Sequence, residues 1–165
     1  MVRVSFRLSL LQRVRLTCAG PTAGTGLKEL KLSSLSALQS FQVHLPGEDS
    51  NAPHPPRSWT LLHSILPLLP PSVSDLTVVH EMQLEVLRSR LSNVDWGLVD
   101  DLLAGPAFEA LADVTIRAEL GSVGRSYCFS SEDLWDYLED NLERTQAFFT
   151  EKLPQLSARG ILSVE

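Results

Sequence analysis

The chain has 165 residues, enough for one domain with a sizeable hydrophobic core. Its apolar share of 44% and charged share of 21% are those of a soluble globular protein. No run approaches the roughly 18 apolar residues of a membrane span, so we expect no membrane association. Cys18 and Cys128 are too few for a disulfide framework and form no C-x-x-C pair. We therefore expect an intracellular location, cytoplasmic or nuclear.

The net charge of −6 is unevenly distributed. Residues 1–47 hold six basic residues and one acidic residue, a net of +5. Residues 48–165 hold eight basic and nineteen acidic residues, a net of −11. A basic end on an acidic body can steer an acidic partner, or both surfaces can simply be solvated. Nucleic-acid binding is disfavoured because the body is acidic and the stretch that carries the basic residues, 3–31, has no interleaved aromatic residue besides Phe6.

Three segments of the first 60 residues have clear local signals. The opening VRVSFRLSL alternates apolar and polar residues, which predicts a strand rather than the amphipathic helix of a mitochondrial presequence. The glycine-rich CAGPTAGTGLKEL lacks the lysine of a P-loop and the third glycine of a dinucleotide fingerprint, so we expect a strand-exit loop. The polar, Pro-rich residues 46–58 predict an exposed loop.

Two helices are predicted in the middle of the chain. SWTLLHSILPLLPP predicts about two turns with Ser58 as the N-cap, limited by Pro67 and Pro70. The segment HEMQLEVLRSRL, within residues 80–92, fits a strand or a helix. NVDWGLVDDLLAGPAF predicts a helix that stops at Gly105 and Pro106. Its expected inner face consists of Val94, Leu98, Val99, Leu102 and Leu103.

A long amphipathic C-terminal helix is predicted over residues 130–153. FSSEDL contains a capping box, with Ser130 at the N-cap and Asp133 at N3. The acidic residues of this helix lie opposite its apolar stripe, which favours a solvated face over paired catalytic carboxylates or a cation site. The expected inner stripe consists of Leu134, Leu138, Asn141, Leu142, Thr145, Phe148 and Phe149.

One apolar spacing, F-x-x-L-x-x-V-x-I in FEALADVTI, recurs along the chain. The other copies are LSLLQRVRL, LSALQSFQV and PPSVSDLTV, and the third apolar slot advances by 27, 35 and 38 residues. LKELKL supplies the last three slots of a partial copy, and LPQLSARGIL begins a copy and then departs from it. The last two slots point to one face of a strand, and the earlier slots belong to the turn before it.

Such a unit cannot bury its apolar side alone, so units stack and share a core. We therefore predict an α/β fold: a short, irregular leucine-rich-repeat-like solenoid with strands alternating with helices, forming one domain over residues 1–165. An ordinary α/β domain is the alternative.

LSNVDWGLVDDLLAGPAFEALADVTI and the closing LPQLSARGILSV resemble the C-terminal repeat region of F-box-associated leucine-rich-repeat-like proteins of mushroom-forming fungi. The carriers of the resemblance are Val94-Asp95-Trp96, the FEALADVTI copy and Ala158-Arg159-Gly160. The resemblance implies repeats that bind a target protein and an F-box that docks on a ubiquitin-ligase adaptor. The chain begins with an alternating segment instead of a helical F-box, so an adaptor is an expected partner only if an F-box is supplied elsewhere.

Repeat proteins bind through the strand face opposite their core. Counting from the apolar slots places twelve residues there: Arg13, Arg15, Thr17, Ser40, Gln42, His44, Asp75, Thr77, Val79, Asp113, Thr115 and Arg117. As the candidate partner-binding residues we select Arg13, Arg15, Gln42, His44, Thr77, Thr115 and Arg117.

No residue set indicates catalysis, so we expect no enzyme, no cofactor and no metal. His44, His54, His63 and His80 lack zinc-ligand spacing, and no G-x-S-x-G elbow occurs. The three tryptophans are expected to anchor the core or its rim. We predict a non-enzymatic module that binds an unknown protein partner. The alternatives are a truncated remnant without independent function, prone to self-association at its open edge, and an enzyme with an unrecognised site.

Overall fold

The computed structural model describes residues 2–6, 13–18, 32–45, 57–82, 94–120 and 131–165. Its strands form one six-stranded sheet whose spatial order is the order of the chain. β1 pairs antiparallel with β2, and β2 to β6 are parallel to one another. The strands are β1 (Val2–Phe6), β2 (Arg13–Cys18), β3 (Ser40–Leu45), β4 (Asp75–Met82), β5 (Asp113–Leu120) and β6 (Leu162–Val164).

Helices connect the parallel strands from β3 onward. The helices are α1 (Arg57–Ile65), α2 (Trp96–Ala104), α3 (Ser131–Lys152) and α4 (Pro154–Ala158). Three-residue 3-10 turns precede β3, β4 and β5, at Leu32–Ser34, Leu66–Leu68 and Pro106–Phe108. The expectation of an α/β protein whose strands alternate with helices is confirmed, with five parallel strands.

The core lies on one face of this sheet. Alternate side chains along a strand point to opposite faces, and β3 is buried at every second position. The buried strand residues and the apolar residues of the helices belong to a single cluster, so the described helices cover the same face. The strand residues of this cluster are Val14, Leu16, Phe41, Val43, Leu45, Leu76, Val78, Val114 and Ile116.

The recurring apolar spacing produces the same turn before three strands. The amide of the second slot donates to the carbonyl of the first slot each time: Leu38 to Leu35 at 2.9 Å, Val73 to Pro70 at 3.2 Å, and Leu111 to Phe108 at 3.0 Å. The three second-slot side chains are all buried. The spacing therefore predicts a tight turn that buries the second-slot side chain in the core and is followed by a strand.

Successive turns are also joined to one another by backbone carbonyls that accept twice. Gln39 O accepts from Ser74 N at 2.8 Å and from Asp75 N at 3.0 Å. Ser74 O accepts from Ala112 N at 2.8 Å and from Asp113 N at 3.1 Å. We call these two contacts the entry brackets. They fix where β4 starts against β3 and where β5 starts against β4.

β6 was not predicted, although it completes the copy that begins at Leu153. Leu162 pairs with Val114 of β5, which is the third-slot position. The spacing of the other copies would place this residue at 159, so the last unit contains three extra residues. α4 and the turn at Gly160, which has a φ of 68°, accommodate these residues. Because of these extra residues, the fixed spacing of the other copies does not predict β6.

Two inner-face predictions for the helices were wrong. Leu98 is 52% exposed, because α2 buries the face of Trp96, Val99, Asp100 and Leu103 and Leu98 lies about 200° around the helix from Trp96. Leu142 is 41% exposed, although it lies two turns before the buried Phe149 on nearly the same side of α3. The core layer that covers Phe149 does not extend to Leu142.

The starts of some predicted elements also differ from the structure. α1 begins at Arg57, so Ser58 lies inside the helix rather than at its N-cap, and the loop predicted over 46–58 is helical at its last two residues. Leu32 starts a 3-10 turn rather than occupying a strand slot. β4 continues to Met82, which makes the beginning of HEMQLEVLRSRL a strand.

Several predictions lie outside the described residues. These are the strand signal after residue 6, the first two slots of LSLLQRVRL, the glycine-rich loop at 19–26, residues 46–56 with His54, residues 83–92, and the Ser130 cap. The long helix runs over Ser131–Lys152, close to the predicted 130–153. Of its expected inner stripe, the part before residue 142 also lies outside the described side chains.

Candidate protein-binding face of the sheet

The strand side opposite the core carries the polar residues that the spacing predicts there, and we call this side the open face. Its residues stand in three rows across the parallel strands. The amino-end row contains Arg13, Ser40, Asp75 and Asp113. The middle row contains Arg15, Gln42, Thr77, Thr115 and Ser163. The carboxyl-end row contains Thr17, His44, Val79 and Arg117.

The register therefore brings all seven candidate partner-binding residues onto one face. Neighbouring strands lie about 4.8 Å apart, so Gln42 and Thr77 are direct neighbours in the middle row. Arg13, Arg15 and Arg117 are exposed. That these residues bind a partner stays a prediction.

Two residues of the open face are less accessible than predicted. Val79 is only 1% exposed, and Thr115 is 8% exposed. The Thr115 hydroxyl donates to Asp113 Oδ2 at 2.8 Å, so its hydrogen bond is made within β5. Among the described side chains, the face is therefore most accessible at Arg13, Arg15, Asp75 and Arg117. Thr115 is a weak candidate for direct contact.

At the β2–β3 end of the face, Arg15 contacts His44. Arg15 Nη2 lies 3.3 Å from His44 Nδ1. Because a guanidinium can only donate, Arg15 is the donor and His44 Nδ1 the acceptor in this contact. The contact joins two candidate residues from neighbouring strands.

At the β5–β6 end, Arg117 forms an ion pair with Glu165. Its Nε donates to Glu165 Oε2 at 3.0 Å, and its Nη2 contacts the same oxygen. The Glu165 amide also donates to Ile116 O at 3.0 Å, so backbone pairing holds this carboxylate beside β5. The positive charge of Arg117 is therefore balanced within the chain.

The amino-end row contains charges of both signs. Asp75 Oδ2 accepts a hydrogen bond from the Ser74 hydroxyl at 2.6 Å, and Asp113 accepts the Thr115 hydroxyl already described. Among the described residues, no ion pair involves either carboxylate or Arg13. The row is positive at β2 and negative at β4 and β5.

A cleft lies between α2 and the α3–α4 junction. It has a volume of about 470 Å³ and is lined by residues that include Trp96, Asp100, Glu151 and Gln155. Both oxygens of Asp100 are used inside the fold, because they accept the backbone amides of Gln155 at 2.9 Å and Leu156 at 3.1 Å. This carboxylate therefore caps α4.

The sequence reading missed an aromatic cluster around His80 at the far end of β4. The imidazole stacks on Trp59 with ring centroids 5.5 Å apart, and Trp96 meets Trp59 edge-on at 4.8 Å. Burial lowers the pKa of His80 from 6.5 to about 4. Neither ring nitrogen has a hydrogen-bond partner among the described residues. The period of two from Leu76 and Val78 places His80 on the core side, which was a usable signal.

Comparisons with protein-family models, with curated proteins and with solved structures find no match for this chain. The described residues include no helix with the length and apolar character needed to cross a membrane. Within the same residues, no three His, Cys, Asp or Glu side chains are grouped so that they could hold a metal ion. The geometry of the open face is therefore the main guide to function.

Proposed function

We propose that this chain is a non-enzymatic protein-interaction module, a short and irregular leucine-rich-repeat-like solenoid that binds a protein partner through its open face. The observation that carries this proposal is the alignment of polar and charged side chains in register on the side of the sheet opposite the helices. Parallel strands that follow one another in space build a broad, nearly continuous surface of this kind.

Two backbone features support the repeat character. The same turn hydrogen bond precedes β3, β4 and β5, and the entry brackets connect one turn to the next. Both features belong to units that contact their neighbours in sequence, which is how solenoids are stabilised. The resemblance to the repeat region of F-box-associated proteins agrees with a target-binding role, and an adaptor joins the complex only through an F-box supplied elsewhere.

The proposal is tested by blocking the middle of the open face. Thr77→Trp places a large side chain between Gln42 and Thr115. The matched control is Ala147→Trp, which adds the same side chain at an exposed position of α3. Tagged wild-type protein and both variants are cross-linked in the cells that express the chain. Proteins that cross-link to the wild type and to Ala147→Trp but not to Thr77→Trp are then purified. Each is titrated against all three chains.

We expect a purified partner whose affinity falls by about ten-fold or more in Thr77→Trp alone, because a buried steric clash removes contacts at the centre of an interface. Equal affinity for both variants would place the contact elsewhere and contradict the proposal. If the chain cross-links only to further copies of itself or to chaperones, the result supports the alternative that it is a truncated remnant without independent function. Circular dichroism of each variant separates loss of binding from loss of folding.

A further inference from the structure

The amino-end row carries opposite charges that form no ion pair with one another. Arg13 stands on β2, whereas Asp75 and Asp113 stand on β4 and β5. At about 4.8 Å per strand, the backbone of Arg13 lies about 10 Å from that of Asp75 and about 14 Å from that of Asp113. Both carboxylates are held beside the sheet by hydroxyl donors. The row therefore presents fixed charges of opposite sign at its two ends.

The other end of the face shows what happens where a counter-charge is within reach. Arg117 and Glu165 come together on one side of the sheet and form an ion pair. The charges of the amino-end row form no ion pair with any described residue. They remain available to a molecule that reaches across the strands.

We propose that the partner contributes an extended dipolar segment, with acidic side chains opposite Arg13 and Arg15 and basic side chains opposite Asp75 and Asp113. This inference rests on the proposed function, since it names the chemistry of the segment that lies on the open face. An extended chain rises about 3.3 Å per residue, so a span of 10–14 Å corresponds to about three or four residues. The segment carries its acidic and basic groups that far apart.

Charge complementarity favours this occupant over a uniformly charged one. A polyanion attracted to Arg13 and Arg15 meets Asp75 and Asp113 farther along the same row, and like charges in contact oppose association. A polycation is attracted to Asp75 and Asp113 but is repelled by Arg13 and Arg15 on β2. Only a segment with both signs in the right order satisfies both ends.

The probes are three labelled peptides: Glu-Glu-Ser-Ala-Lys-Lys, its rearrangement Glu-Lys-Ser-Ala-Glu-Lys, and the uniform Lys-Lys-Ser-Ala-Lys-Lys. Each is titrated at low salt into the ¹⁵N-labelled full chain to about 10 mM, a range suited to millimolar affinity. The protein variant is Arg13→Asp with Arg15→Asp. Its matched control is Arg144→Asp, a charge reversal at an exposed position of α3.

We expect the dipolar peptide to shift the backbone resonances of the amino-end row and to bind about three-fold or more tightly than its rearrangement. The double variant should weaken the dipolar peptide by about ten-fold and prefer the uniform basic peptide, because each reversed residue turns an attraction into a repulsion. Arg144→Asp should leave both preferences unchanged. Equal binding of the two isomeric peptides, or no shift in the row, would overturn the inference.

The same variants separate this inference from the proposed function. If Thr77→Trp abolishes capture of the natural partner while the double arginine variant does not, the open face binds a partner that is not dipolar, and only the inference falls. If neither variant affects capture, both proposals fall. Dimerisation of the chain that the double variant abolishes would identify a second copy as the occupant and overturn the inference.

Discussion

The carboxylate of Asp100 accepts a hydrogen bond of 3.1 Å from the backbone amide of Leu156, a residue 56 positions later in the chain. Its other oxygen accepts from Gln155 N, so a side chain of α2 satisfies two amides at the start of α4. α4 begins with Leu153 at its N-cap, which provides no side-chain cap of its own. Asp100 therefore supplies a cap that the local sequence lacks.

Loss of this cap should destabilise the fold. We expect Asp100→Ala to lower the free energy of unfolding by about 2–4 kcal/mol, because the buried amide of Leu156 and the partly buried amide of Gln155 lose their acceptor. Asp100→Asn keeps one acceptor and should cost about half as much. Urea denaturation measures both, with the exposed Glu109→Ala as control. An Asp100→Ala protein as stable as the control would show that the amides find other partners.

The exposure of Leu98 gives a second prediction, a comparison between two leucines of α2. Leu103→Ala should lower the free energy of unfolding by about 2–5 kcal/mol, because it leaves a cavity in the core. Leu98→Ala should change it by less than about 0.5 kcal/mol, because that side chain is largely in solvent. Thermal or urea denaturation of the two variants provides the measurement. Similar losses would mean that α2 is rotated relative to the sheet.

A third prediction concerns the left-handed turn before β6. Gly160 has a φ of 68°, and a Cβ built there meets no atom within 4 Å. Gly160→Ala should therefore cost about 1 kcal/mol through backbone strain alone, and Gly160→Asn less, because Asn tolerates this conformation better. Gly97→Ala is the control, since Gly97 is helical and its added Cβ would be at ordinary contact distance. A neutral Gly160→Ala would be inconsistent with the left-handed turn.

A fourth prediction is the pH dependence of stability caused by His80. Its pKa of about 4 in the folded protein lies below the ordinary 6.5, so the unfolded chain binds the proton more tightly. The stability that comes from the neutral His80 ring is fully present above pH 6.5 and is lost as the pH falls from 6.5 towards 4. At pH 5 we expect a loss of about 2 kcal/mol relative to pH 7.5.

His80→Phe isolates this effect from the titration of the carboxylates. The stabilities of the wild type and the variant are compared by urea denaturation at pH 5 and pH 7.5. The wild type should lose about 2 kcal/mol more than the variant over this interval. Equal losses would show that His80 is protonated without penalty in the folded state.

Patterns within one unit of the chain predicted much of the fold. The period of two identified both faces of β3, and the recurring slots identified the buried residues before β4 and β5. The side of the sheet on which Gln42 and Thr77 lie follows from the same register. These features are local, because each depends on residues a few positions apart.

Features that depend on distant residues were missed or misplaced. The role of Asp100 requires α4 to be in place. The burial of Val79 and Thr115 does not follow from the period of two, which places both residues on the open face. Leu98 was misplaced because a run of leucines and valines fits more than one helical face, and contact with the core selects the face of Trp96, Val99 and Leu103. The charge pairing of Arg117 depends on Glu165, which is 48 residues away.

The entry brackets have a consequence for how such a chain can change over time. The third slot advances by 35 residues from β3 to β4 and by 38 from β4 to β5, yet both strands start against their neighbour in the same way. Insertions and deletions between the strands can therefore accumulate in the connecting segments without shifting any side chain from one side of the sheet to the other. A change in the length of a connecting segment is therefore expected to leave the surface that the strands present unchanged.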